Sequence, residues 1–245
     1  MTEPERYFFV HMQKTAGTSL DARLRKQFPP GTMFPTEADK DHLDAAIEVD
    51  YLQRRFAESK DELRLVAGHF PLCTTEVLGV PFTAFTVLRE PVARTLSFLR
   101  HHELRRSPDQ DLEEIYARPT QLHGLIHNHM VKMLSMTADE MTRGVMTMVA
   151  FDDARLERAK ERLEHTIDTF GVQERFDSFG DELARRYGWD LGAAVTANTT
   201  SEVPVSDEFV ARIAKDNAMD IELYDFAVSL LDRRASGASG ASDGA

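Results

Sequence analysis

Residues 7–20 read YFFVHMQKTAGTSL, and this stretch decides the fold. Its first four residues are apolar, as in a buried strand. A turn of small and hydroxylated residues follows, and then Leu20, Leu24 and Phe28 recur at helical spacing. In α/β proteins such a strand, turn and helix form a phosphate cradle, because turn N–H groups and the helix N-terminus face the anion. The sequence therefore predicts an anion site beside Lys14.

This turn differs from the common loop of ATP- and GTP-binding proteins. That loop places its lysine directly after a glycine, whereas Lys14 comes before Gly17 and no glycine stands upstream. The candidate anion donors all lie in the turn and are the Lys14 ammonium and the N–H or hydroxyl groups of Thr15, Ala16, Gly17, Thr18 and Ser19. The alternative is a tight strand-to-helix connection with a solvated lysine.

A second strand, turn and helix follows at residues 82–99. Arg89 stands where the strand's carboxyl end meets the turn, which is the edge at which open α/β sheets bind ligands. Its planar guanidinium suits a phosphate, and Ser97 on the following helix offers a hydroxyl. Five arginines against two glutamates give residues 89–106 a local net charge of +3. For Arg105 and Arg106 the alternative is the solvated face of an amphipathic helix.

The rest of the chain continues the alternation of strands and helices. Strands are predicted at 63–67 and 166–172, and helices at 41–56, 110–149 and 174–187, followed by two more before residue 234. Candidate helix caps are Thr137 with Glu140, Asp152 or Asp153, and Ser206. Strands separated by helices predict an α/β fold with a parallel sheet. We expect one domain over 1–234 and a disordered Ala/Ser/Gly tail over 235–245.

Composition limits the possible partners of the protein. The 245-residue chain carries a net charge of −12, which argues against a nucleic-acid or anionic-membrane binder. No segment has the length of a transmembrane span or the form of a signal peptide, and the single cysteine, Cys73, is expected to be a buried apolar residue. We therefore expect a cytoplasmic protein. His123 and His127 share helical spacing, but no third metal ligand is evident, so no metal site is predicted.

Two motifs together resemble a known enzyme family. Residues 14–19 look like the 5′-phosphosulfate-binding loop of sulfotransferases, in the form found in the carbohydrate branch that includes heparan sulfate and uronyl 2-O-sulfotransferases. Residues 88–97 look like the 3′-phosphate-binding element of the same branch, in the same order along the chain. Weaker similarity covers most of residues 7–232. One departure is Gln13, where the family usually has proline.

The resemblance implies a P-loop-like three-layer fold and a donor, 3′-phosphoadenosine 5′-phosphosulfate (PAPS), which is released as PAP, with no catalytic metal. Lys14 and its turn would hold the 5′-phosphosulfate and stabilise the departing oxygen. Arg89 and Ser97 would hold the 3′-phosphate. Thr199 and Thr200 would contact the donor from a covering loop.

His69 is the candidate base for the acceptor hydroxyl. It closes the sequence LVAGH at 65–69, at the carboxyl end of the strand predicted at 63–67. In the 2-O-sulfotransferases a histidine at the matching Gly-His position serves as base. The unperturbed pKa of histidine suits proton abstraction near neutrality. The alternative is a histidine that is only hydrogen-bonded at a strand end.

The expected function is sulfuryl transfer from PAPS to a hydroxyl of a small molecule, glycan or glycolipid. A nucleotide-dependent phosphotransferase or NTPase is the alternative enzyme, although the usual glycine-lysine spacing is missing. A non-catalytic PAP-binding protein is the alternative from another class.

Overall fold

A computed structural model describes residues 5–39, 41–42, 45–102, 111–117, 123–192 and 204–242. Five parallel strands form one sheet in the order β2-β3-β1-β4-β5. The strands are β1 (Tyr7–Val10), β2 (Met33–Phe34), β3 (Leu65–Gly68), β4 (Thr83–Leu88) and β5 (Ile167–Val172). The predicted parallel α/β fold is therefore confirmed, and only the two-residue β2 was not predicted.

Helices connect the strands and cover the sheet. In the described residues they are α1 (Gly17–Gln27), α2 (Val49–Ser59), α3 (Thr74–Leu78), α4 (Pro91–His102), α5 (Leu112–Ala117), α6 (His123–Ile126), α7 (His129–Ser135), α8 (Ala138–Met141), α9 (Asp153–His165), α10 (Phe176–Tyr187), α11 (Asp207–Asp216) and α12 (Ala218–Ser242). Two short 3-10 turns lie at Glu37–Asp39 and Gln173–Arg175.

Both faces of the sheet are buried, which gives three layers. Alternate residues of β1 point to opposite faces, as the pleat requires. Phe8 and Val10 pack in a core shared with α2, α7, α9 and α12, whereas Tyr7 and Phe9 pack in a second core shared with α1 and α10. Burial on both faces explains why the strands read as continuous apolar runs.

The register brings the candidate site residues to one edge. Val10 pairs with Gly68 of β3 and with Thr86 of β4, so the carboxyl ends of the three central strands lie side by side. Each strand then continues directly into one of the segments that carry the predicted chemistry, which begin near His11, His69 and Arg89.

The predicted helix caps are confirmed. Thr137 and Glu140 form a capping box at α8. The Asp152 carboxylate accepts from the Arg155 N–H at α9, and the Ser206 hydroxyl accepts from the Phe209 N–H at α11. Such caps use N–H groups that the first helical turn leaves unbonded.

Three helix predictions differ from the structure. In its described residues the segment predicted as helical over 110–149 holds four short helices, α5 to α8, and residues 142–149 are not helical. Asn128, with a φ of 45°, separates α6 from α7, and Gly144, with a φ of 90°, follows the end of α8, so neither position continues a helix.

The helix predicted from residue 41 begins at Val49, and in the segment before it the Ala46 carbonyl accepts from the His69 backbone N–H at the end of β3 instead of from a helical N–H. The last helix runs to Ser242 and so enters the tail that was expected to be disordered from residue 235. The buried Leu223 and Leu230 anchor this helix, and no proline interrupts the segment that follows, although Gly237 and Gly240 are weak helix formers.

Candidate active site

The turn after β1 has an unusual backbone. Lys14 and Ala16 both have positive φ, at 67° and 66°, a conformation that non-glycine residues rarely adopt. The Thr15 hydroxyl between them is buried and donates to the Met12 carbonyl at 3.0 Å. The Thr15 hydroxyl therefore supports the turn, which corrects the prediction that it is available to an anion. Strained backbone of this kind is often found at ligand sites.

The N-terminus of α1 is open to an anion. No side chain caps this end of the helix, and its first turn carries no acidic residue. The Ala16 carbonyl accepts from the Ser19 and Leu20 N–H groups at 3.1 and 3.2 Å, which begins the helix. Thr18 is exposed, and Lys14 and Ser19 are half-buried. The predicted donors of this turn thus surround a helix end that favours negative charge.

His11 packs beneath the turn. Its ring stacks on Phe9, with centroids 5.0 Å apart, and a Cβ on Gly17 would lie 1.9 Å from its Nε2. Only glycine therefore fits at position 17. Burial, and then the neighbouring His69, hold the pKa of His11 well below its usual range, so this imidazole is neutral.

His69 is held in one tautomer. Its Nδ1 lies 2.8 Å from the His11 carbonyl oxygen, and a carbonyl can only accept, so Nδ1 carries the proton. Nε2 then has the free lone pair of a base. The backbone N–H of His69 also donates to the Ala46 carbonyl at 2.7 Å. Burial lowers the pKa of His69, although the His11 carbonyl and Asp21 oppose this effect.

Arg89 joins the two predicted anion elements. Its Nη1 donates to the Lys14 carbonyl at 3.0 Å, so the end of β4 is bonded to the turn after β1. Burial lowers the pKa of Arg89, with Glu174 and Glu90 opposing, and the guanidinium stays charged. Ser97, the second predicted 3′-phosphate contact, is half-buried on α4.

Glu90 and Arg94 have structural roles that the sequence did not indicate. The Glu90 carboxylate accepts from the Val92 and Ala93 N–H groups and so caps α4. Arg94 is fully buried, and its guanidinium donates to the carbonyls of Leu125 and Ile126. In the sequence, Arg94 is one of the five arginines that give residues 89–106 their positive charge. No signal in the sequence indicated that Arg94 is buried.

Two further buried basic residues on α7 were missed. His129 and Lys132 are 3% and 1% exposed, and Lys132 Nζ makes one long contact, 3.5 Å to the Gly124 carbonyl. Burial, and then Arg155, lower the pKa of Lys132 to about 8. Burial likewise holds the pKa of His129 well below its usual range, with Arg94 and Lys132 adding to the effect. The apolar residues around them indicate a buried segment, but the burial of basic side chains within it is not expected from their residue types.

Some predictions fall outside the part of the chain that the structure describes. Thr199 and Thr200 lie in the segment 193–203, so the structure does not describe the residues expected to contact the donor from a covering loop.

Among the described residues, no three or more His, Cys, Asp or Glu side chains form a possible metal site. In those same ranges, no helix combines the length and apolarity needed to cross a membrane. Cys73 is buried and unpaired, as predicted.

The arrangement at the sheet edge can bind an anion and remove a proton. A lysine turn and an open helix N-terminus supply positive potential, Arg89 is bonded to that turn, and His69 offers a neutral ring nitrogen nearby.

Comparison of the chain with models of protein families found no match, and comparison with curated proteins found no similar protein.

Proposed function

We propose that this chain is a PAPS-dependent sulfotransferase that acts on a hydroxyl of a carbohydrate or glycolipid and releases PAP. The observation that carries the proposal is the meeting of three groups at one sheet edge. Arg89 is bonded to the Lys14 turn, and His69, bonded to the His11 carbonyl at the start of the same turn, is held with Nε2 as a base. An anion site beside a neutral base suits transfer of an anionic group to a hydroxyl.

The residues present fit a donor with two anionic ends. The uncapped N-terminus of α1 and Lys14 would hold the 5′-phosphosulfate. Arg89 and Ser97 would hold the 3′-phosphate. Because Arg89 also donates to the Lys14 carbonyl, an anion held by Arg89 would be coupled to the position of the turn. PAPS supplies the sulfuryl group, and the protein supplies position and charge.

His69 and Lys14 divide the chemistry in this proposal. His69 Nε2 takes the proton of the acceptor hydroxyl, whose oxygen forms the new bond to sulfur. The bond between sulfur and the bridging phosphate oxygen breaks, and the electron pair leaves with PAP. The Lys14 ammonium stabilises the negative charge that develops on this oxygen. The proton on the His69 imidazolium then passes to solvent.

Calorimetry without Mg²⁺ tests the donor. We expect PAP to bind at least about tenfold more tightly than ADP, because the 3′-phosphate adds charge-assisted hydrogen bonds. Arg89→Ala should lower PAP affinity towards that of ADP. Arg185→Ala is the matched control, since Arg185 is exposed and pairs with Glu182 on α10. Equal affinity for PAP and ADP in the wild type would instead favour the phosphotransferase alternative. Transfer of labelled sulfate from PAPS across a panel of acceptors then tests catalysis.

A further inference from the structure

A cavity of about 380 Å³ lies between residues 47–50 and residues 141–146. Its size lies within the range of small-molecule sites, about 300–1,000 Å³. One wall is the segment that leads into α2, and the other is the end of α8 with the loop that follows it. Neither wall contains a residue that the proposed donor site uses.

One wall of the cavity is joined by a hydrogen bond to the backbone of the candidate base. The Ala46 carbonyl accepts from the backbone N–H of His69 at 2.7 Å, and a Cβ on Gly68 would lie 2.9 Å from the same oxygen. This wall is therefore held against the end of β3, and Ile47, the next residue, already lines the cavity. This bond joins the cavity wall directly to the residue that carries the candidate base.

The lining combines apolar surface with acidic groups. Val49 and Val145 contribute apolar surface from the two walls, and Met146 is 37% exposed at the rim. Glu48 and Asp50 are exposed on one wall, against Arg143 on the other. Carboxylates accept hydrogen bonds from hydroxyl groups but repel anions. The chain's net charge of −12 also repels anions over longer distances.

We infer that this cavity is the acceptor site and that it binds an uncharged glycoside with a compact apolar aglycone rather than an anionic glycan. The inference rests on the proposed function for the reaction that follows binding. The acidic wall would accept hydrogen bonds from sugar hydroxyls. The valines and methionines would contact the aglycone, and methionine adapts well to varied apolar shapes.

Three related probes test the chemistry of the site: phenyl β-D-glucoside, phenyl β-D-glucuronide and methyl β-D-glucoside. Saturation-transfer NMR on the PAP-saturated protein measures their affinities. We expect the uncharged phenyl glucoside to bind at least about tenfold more tightly than either of the other two probes. The glucuronide carries a carboxylate, which the acidic wall repels, and the methyl glucoside lacks the phenyl ring, which contacts the apolar lining. Equal or tighter binding of the glucuronide would overturn the inference.

Two methionines in one loop test the location. Met146 lines the cavity, whereas Met148 is 60% exposed and does not line it. Met146→Asp should weaken phenyl glucoside binding about tenfold, because it places a charge in the apolar lining. Met148→Asp should change it less than about twofold. Both sites are exposed, so both variants should fold, which thermal unfolding checks. Equal effects of the two variants, or no effect of Met146→Asp, would place the acceptor elsewhere.

Parallel PAP titrations separate the two proposals. Both methionine variants should bind PAP as the wild type does, because the cavity and the Lys14 turn share no residue. A wild-type protein that fails to bind PAP contradicts the proposed function. The glucoside measurements, repeated without PAP, still decide whether the cavity binds an uncharged glycoside.

Discussion

His69 is the residue on which the proposed reaction depends most directly. Because Nδ1 donates to the His11 carbonyl, proton transfer must use Nε2. His69→Ala should lower kcat by about 10²–10⁴-fold while PAP affinity is unchanged, since a general base acts in the transition state. His165→Ala is the control, because His165 is exposed at the end of α9. A His69→Ala variant with wild-type kcat would remove His69 as the base.

The pH dependence of kcat gives a second measurement on the same residue. A base must be deprotonated, and burial lowers the pKa of His69 below 6.5. The rate should therefore rise with pH through this lowered pKa and be level at neutral pH. Loss of activity on raising the pH through this range would contradict the assignment, because the required imidazole is neutral there.

Gly17 is a second residue with a specific steric role. Gly17→Ala would place a methyl group 1.9 Å from His11 Nε2, so the ring or the turn must move. We expect PAP affinity to fall at least about tenfold and stability to fall by about 1–3 kcal/mol, as in overpacked cores. Calorimetry and urea unfolding measure the two effects.

Two companion variants check this steric explanation. In His11→Ala/Gly17→Ala the ring is gone, so the second substitution should cost little beyond His11→Ala alone. Ala16→Gly should be tolerated, because Ala16 already has a φ of 66° that glycine adopts without strain. If the effect of the double variant equals the sum of the two single effects, the contact with the His11 ring is not what excludes alanine at position 17.

At the level of elements, Asp39 joins the segment before α2 to the helix itself. Its buried carboxylate accepts from the Thr36 N–H and hydroxyl, the Tyr51 hydroxyl and Arg55 Nε. These bonds tie the 3-10 turn at Glu37–Asp39 to the first two turns of α2. Burial alone would raise the pKa of Asp39, but the hydrogen bonds from Tyr51, Arg55 and Thr36 lower it to about 2.

Asp39→Asn should therefore destabilise the protein in a pH-dependent way. The folded pKa lies below the unfolded one, so the carboxylate stabilises the fold above about pH 4. This contribution is lost as the pH falls towards 2. We expect a loss of about 2–3 kcal/mol at pH 7 that shrinks over that range, measured by urea unfolding. Asp61→Asn, at an exposed aspartate, is the control. A pH-independent loss would contradict the role of the charge.

Helices α7 and α12 cap each other. The Asn128 side-chain oxygen accepts from the Met219 and Asp220 N–H groups, and the buried Asp220 carboxylate accepts from the Met130 and Val131 N–H groups. The Asn128 backbone N–H also donates to the Asn217 side-chain oxygen at 3.0 Å. Their side chains act here as reciprocal caps, which join the last helix to the wall of the core.

At the scale of the whole molecule, charge is distributed unevenly. The net charge is −12, yet Lys14, Arg89 and Arg94 lie together around one turn, where the two arginines donate towards the carbonyls of Lys14 and Gln13. An anionic ligand would thus meet a local positive site on a protein that otherwise repels it. This contrast favours a small anion bound at the sheet edge over a long polyanion laid across the surface.

The amino-acid sequence by itself determined the parallel α/β fold, the open helix end beside Lys14 and the edge where Arg89 lies. These features depend on local patterns, namely apolar runs, turn residues and caps, which nearby residues specify. Only the tertiary structure decided the His69 tautomer, the contact of Gly17 with His11, the burial of Arg94 and Lys132, and the late start of α2 at Val49. The physical reason is that each depends on a partner brought near by the fold, and neither burial nor hydrogen-bond direction can be read from spacing along the chain.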